Sequence, residues 1–128
     1  MSVNNLRTKR DNQQWMLDLA LNMRGRVQNF ERDDWETPKR AHNYRMLPKM
    51  WRQKAEHDEA LGKQAQEQGF DATAAEHYDH AIEAYRMSQH PIFYDDNPVK
   101  IATYDKLCEM VDRRSATAPY PIERVEVP

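Results

Sequence analysis

The sequence predicts an all-α helical bundle with one strand-like segment at its end. Three observations carry this reading. Apolar residues recur at three- and four-residue spacing through four stretches, the pattern of helices with one buried face. Only three glycines occur in 128 residues (Gly25, Gly62 and Gly69), and helix packing or termination accounts for each. Pro38, Pro48 and Pro98 stand where helices would begin, and Pro91 where one would end.

The elements follow in order. From about Asp11 to Arg24, Trp15, Leu17, Leu19, Ala20, Leu21 and Met23 predict a helix with a broad apolar face, broken or ended at Gly25. A polar connection from Asn29 to Glu36 surrounds Phe30 and Trp35. Thr37 and Pro38 then read as an N-cap and first helical residue, opening a short helix that carries Ala41, Tyr44 and Leu47. Pro48 opens the next helix, with Met50, Trp51, Lys54, Ala55, Asp58, Leu61, Gly62 and Ala65 on one side and Gly69 as its stop. Asp71 or Thr73 caps the following helix, Thr73 and Glu76 having capping-box spacing. Its inner face is Ala74, Tyr78, Ala81, Ile82 and Tyr85, and His90–Pro91 ends it. After the loop HPIFYDDNP, Asn97 and Pro98 start a last helix with an expected inner stripe of Ile101, Tyr104, Leu107, Cys108 and Val111. Arg113 and Arg114 fall in its final turn, where the helix dipole favours cations. Residues 1–114 thus form a helical domain, and 115–128 a linker and a strand, IERVEVP, with Val125 and Val127 on one face. A lone strand has no ladder partner, so the segment is expected to begin a sheet lying beyond Pro128.

Composition bounds the function. Charged residues make up 31%, apolar ones 39%, and the mean hydropathy is −1.05. Twelve aromatic residues and seven methionines still supply a core. A net charge of −2 argues against an electrostatic grip on nucleic acid or an anionic membrane. No apolar run is long enough to span a bilayer, and the N-terminus lacks a signal-peptide core. The lone Cys108 excludes an internal disulfide, and a reducing cytoplasm is the expected location.

No nucleophile elbow, phosphate-binding glycine loop or zinc-spaced Cys/His set is present, so no catalytic residue and no cofactor is expected. Glu76, His80 and Glu83 share one helix side at spacings of four and three. A solvated charged face accounts for them, because no second helix offers a matching pair, and no metal is expected. Cys108, mid-helix on an apolar stripe, reads as a buried inert thiol. The candidates for lining a small-molecule pocket are His90, Phe93 and Tyr94 in the aromatic loop, with Trp51 and Tyr44. Core packing is the competing reading for each ring.

The segment ALGKQAQEQGFDATAAEHYDHAIEAY resembles one tetratricopeptide unit, its small residues letting two helices approach closely. Asp58, Ala65 and Arg86 depart from that pattern, standing where it has an aromatic, an aromatic and a proline. No second copy is found, whereas solenoids need about three repeats. From about Trp51 onward, the order of this pair, the helix PVKIATYDKLCEMV and the closing PYPIERVEVP resembles the N-terminal helical region of certain α/β-hydrolases. The group is the one containing 2,6-dihydropseudooxynicotine hydrolase and the fermentation–respiration switch esterases. The resemblance implies a cap that selects a small-molecule substrate above a serine hydrolase domain, which cleaves an ester, thioester or C–C bond. That domain is the implied partner, and it carries the whole triad. The alternatives are a tetratricopeptide-like adaptor, binding a protein through a groove near Tyr78 and Tyr85, or a homodimerisation module using the first helix.

Overall fold

The computed structural model describes residues 44–128. The expected first helix, the 29–36 connection and the Thr37–Pro38 start lie outside the described residues. A 3₁₀ turn, Tyr44–Met46, leads into three helices: α1 (Leu47–Glu67), α2 (Asp71–Gln89) and α3 (Pro98–Ala116). The described residues form no strand, and the fold is all-α. None of these helices is long and apolar enough to cross a membrane.

Leu47 begins α1, where the sequence placed it at the end of an earlier helix. Pro48 sits in the first turn, where its missing N–H costs nothing. Leu47, Trp51, Ala55, Asp58, Gly62 and Ala65 are buried, a stripe at helical spacing. At the C-terminus, the Phe70 amide donates to the Ala65 carbonyl (2.9 Å) and the Gly69 amide to Gln66 (3.0 Å). This pair of bonds is a Schellman motif, and Gly69 at φ +81° supplies its left-handed residue. A Cβ there would meet nothing within 4 Å, so backbone conformation alone demands glycine.

The tight turn leaves Gln68, Gly69 and Phe70 between the helices, and the Ala74 amide donates to the Phe70 carbonyl (2.8 Å). Helix α2 therefore starts at Asp71, and Thr73 falls inside its first turn. The expected capping box does not form, and no side chain caps the helix.

Helices α1 and α2 make an antiparallel hairpin. Near the turn the Tyr78 hydroxyl donates to Gln66 Oε1 (2.7 Å), and at the far end Ser88 Oγ donates to the Pro48 carbonyl (2.6 Å). The seam is built of Ala55, Gly62 and Ala65 against Ala74, Ala81 and Ala84, with the rings of Trp51, Tyr78 and Tyr85 filling the remainder. Ile82 packs at its margin.

Asn97 caps α3, its Oδ1 accepting from the amides of Val99 (2.9 Å) and Lys100 (3.3 Å), as the Asn–Pro pair predicts. The inner face of α3 differs from the expected stripe. Thr103 and Met110 are its buried residues, with Leu107 partly buried, whereas Ile101, Tyr104 and Val111 are 49%, 57% and 42% exposed. The fully buried Met110 anchors this rotation, and two ion pairs accompany it: Lys106 with Glu59 of α1 (3.3 Å) and Arg114 with Asp79 of α2 (2.9 Å). Both cations lie on the Thr103–Met110 side, so the apolar stripe turns away from the hairpin. Helix α3 runs two residues past the expected boundary, to Ala116. Residues 121–128 follow without regular structure, all exposed, Val125 and Val127 at 79% and 88%.

Candidate functional site

The outward face of α3 and the tail that passes it enclose a cleft of about 670 Å³. Tyr104, Cys108, Val111 and Ile122 supply its apolar lining, and Asp112, Glu123 and Arg124 bring two negative charges and one positive. Cys108 is therefore half-buried beside open space, not sealed in a core. The residues that make this cleft are those the sequence assigned to the inner stripe, plus the strand-like tail.

A second cleft, about 290 Å³, lies where α3 crosses the hairpin, with Arg52, Glu56, Tyr85, Val99, Thr103 and Lys106 around it. Beside it Glu59 joins all three helices. Its carboxylate accepts from Tyr85 Oη (3.1 Å), Lys63 Nζ (3.0 Å) and Lys106 Nζ (3.3 Å). Burial pushes the Glu59 carboxyl up, but the hydrogen bonds and charges of Lys63 and Lys106 outweigh it and hold the group below its ordinary 4.5. Burial, reinforced by Glu59, raises the Tyr85 phenol far above its ordinary value. Burial would lower Lys106, yet its hydrogen bonds to Glu109 and Glu59 raise it. Each shift favours the charge state its group holds near neutrality, and the cluster ties the three helices together.

The clamp has a pH signature. A carboxyl depressed in the folded state contributes stability above its unfolded value, lost as pH falls through the folded value. Glu83, with Arg86 as its largest influence, and Glu109, held down by Lys106 and Arg113 against its burial, share this sign. Denaturant midpoints should fall on acidification below the ordinary carboxyl value of 4.5. Glu59→Gln should lose less across that window than the parent chain. Equal losses in the two proteins would remove Glu59 from the account.

Of the five sequence candidates, the four whose side chains are described line neither cleft. Trp51 is 2% exposed and belongs to the core. His90 caps the C-terminus of α2 and is exposed. Phe93 and Tyr94 stand 63% and 76% exposed in the following loop. Lys100 ties this loop down, donating to the Ile92 carbonyl (2.9 Å) and Asp95 Oδ1 (3.0 Å). Tyr44 opens the 3₁₀ turn, and its side chain lies outside the described residues.

One grouping was missed by the sequence reading. Asp58 of α1 meets His77 and His80 of α2, with one ligand atom from each within 4.8 Å of the others. Asp58 is buried, His77 half-buried and His80 exposed. Glu76, His80 and Glu83, read from the sequence as a solvated charged face, form no such grouping among the described residues, and Arg86 binds both oxygens of Glu83. The signal was available: Asp58 sits on the buried stripe of α1, and two histidines three apart share a face of α2. No protein-family model, curated protein or solved structure matches this chain.

Proposed function

We propose that the helical body is a docking and substrate-selecting cap for a serine α/β-hydrolase domain, non-catalytic by itself. The supporting observation is two groups of apolar side chains left exposed among the described residues. Helix α3 presents Ile101, Tyr104 and Val111 outward, and the tail beside it presents Ile122, Val125 and Val127. A chain this polar has no reason to leave six such side chains in water unless a partner surface covers them. An extended, alternating segment beside an uncovered helix is the arrangement expected where a strand joins a sheet and the helix packs on it. In this reading Phe93 and Tyr94, carried between Pro91 and Pro98 in a tethered loop, are the rings that meet substrate. The cap contributes orientation and water exclusion, not a nucleophile. Tyr78 is buried against α1, and Tyr85, 1% exposed, borders the smaller cleft near which the adaptor alternative places its groove.

Two measurements test it together. An antibody to this chain, used on extract of its source cell, should detect a species larger than 15.2 kDa that a fluorophosphonate serine probe labels. The purified chain should hydrolyse p-nitrophenyl esters no faster than buffer, because it lacks a nucleophile, base and oxyanion set. A native species of 15.2 kDa, with no probe-reactive protein bound to it, would sink the cap reading. So would ester turnover that disappears on mutating one of its own residues.

A further inference from the structure

We infer that Asp58, His77 and His80 form a binding site for a borderline divalent metal ion, Zn²⁺ foremost. The inference starts from a charge in the wrong place. Asp58 lies in the hairpin interface at 7% exposure, where every neighbour on its stripe is apolar or glycine. A carboxylate is not buried there without compensation. Its counter-charge on α1 is Lys54, one turn earlier, whose Nζ donates to Oδ2 (2.7 Å). Oδ1 takes no part in that ion pair. Facing it from α2 are two imidazoles, each offering a nitrogen within 4.8 Å of the carboxylate and of the other.

The donor set selects the ion. Two imidazoles and one carboxylate suit zinc and its transition-metal neighbours, whereas calcium and magnesium take oxygen alone. Ligand atoms around tetrahedral zinc lie roughly 3.3 Å apart, given bonds of about 2.0–2.1 Å. Closing the observed grouping therefore asks for a shift of an ångström or so. His80, exposed, turns freely about its side-chain bonds, while Asp58 and His77 are held by their surroundings. Lys54 is no obstacle, because its flexible stem swings to water when a dication takes over the carboxylate.

The burial gradient fixes what such a site does. Asp58 closes the inner side and His80 borders solvent, so the fourth position opens outward to water or an exchangeable ligand. The ligands come from both helices, so the ion ties α1 to α2 and stabilises the folded state through binding.

The test uses the full chain without an affinity tag. Titration calorimetry with ZnCl₂ should show one equivalent bound, with a matching rise in melting temperature. His80→Ala, which removes an exposed side chain and leaves the core intact, should weaken binding roughly tenfold or more. His77→Ala and the nearly isosteric Asp58→Asn should do the same. His57→Ala, exposed on α1 and outside the grouping, should bind as the parent does. Absence of binding overturns the site, as does undiminished affinity in His80→Ala. Affinity retained in a folded Asp58→Asn while both histidine variants lose it reduces the grouping to a surface histidine pair and overturns it equally.

Discussion

Tyr78→Ala should remove roughly 3–5 kcal/mol of stability, a large share of the 5–15 kcal/mol typical of a domain. The ring is fully buried in the seam between α1 and α2, and its hydroxyl holds Gln66. Alanine forfeits the burial of the ring and leaves a void that two backbones in close contact cannot collapse to fill. Tyr78→Phe separates the contributions, since it deletes only the hydroxyl and should cost about 1 kcal/mol. Denaturant melts of the pair decide it. A cost below about 1 kcal/mol for the alanine variant would place the ring outside the cohesive core.

The partner experiment enlarges the facing residue. An alanine Cβ at Gly62 would stand 2.6 Å from Tyr78 Cε1 and 2.7 Å from Cδ1. A buried aromatic ring cannot bend away, so the helices must part. Gly62→Ala should destabilise by about 1–3 kcal/mol through overpacking. This opposes the gain of about 1 kcal/mol that alanine ordinarily brings over glycine inside a helix. Gly62→Val should be worse. In the Tyr78→Ala background the space is free, and Gly62→Ala should become neutral or stabilising. A double-mutant cycle measures that reversal. Stabilisation by Gly62→Ala in the parent chain would contradict the close approach on which this account rests.

The parts of the fold readable in the sequence were those set by local chemistry. Gly69 ends α1 because only glycine takes its left-handed backbone cheaply, and Asn97–Pro98 begins α3 because Asn97 accepts the otherwise unpaired amides of Val99 and Lys100 while Pro98 has no N–H to satisfy. Neither depends on anything distant. The inward face of α3 does. Ile101, Tyr104, Leu107, Cys108 and Val111 make a sound apolar stripe, but periodicity says only that a stripe exists, not which neighbour it meets. The face that meets the hairpin is the one carrying Met110, with Lys106 and Arg114 reaching Glu59 and Asp79, all remote in sequence. Thr73 failed as a cap for a related reason: the Schellman turn carried α2 straight on from Phe70, before the capping box could act.

The site was partly legible. Asp58 and His80 lie the same number of residues on either side of Gly69, so a tight antiparallel hairpin must bring them opposite each other. Treating each helix separately hid that pairing. The aromatic candidates failed differently. Trp51 is buried in the seam between α1 and α2 while Phe93 and Tyr94 stay exposed in the following loop, a difference that ring chemistry does not encode.

The seam between α1 and α2 has a consequence for the entropy of folding. Ala55, Ala65, Ala74, Ala81, Ala84 and Gly62 possess no side-chain torsions to freeze, whereas a long side chain surrenders up to about 2 kcal/mol of rotamer freedom on burial. Rotamer loss is confined to a few larger members, Trp51, Tyr78 and Tyr85 prominent among them, each with only two torsions to its ring. The hairpin thus assembles against backbone ordering almost alone. A modest apolar area suffices to hold it, which is how so polar a chain keeps two helices in contact along their length.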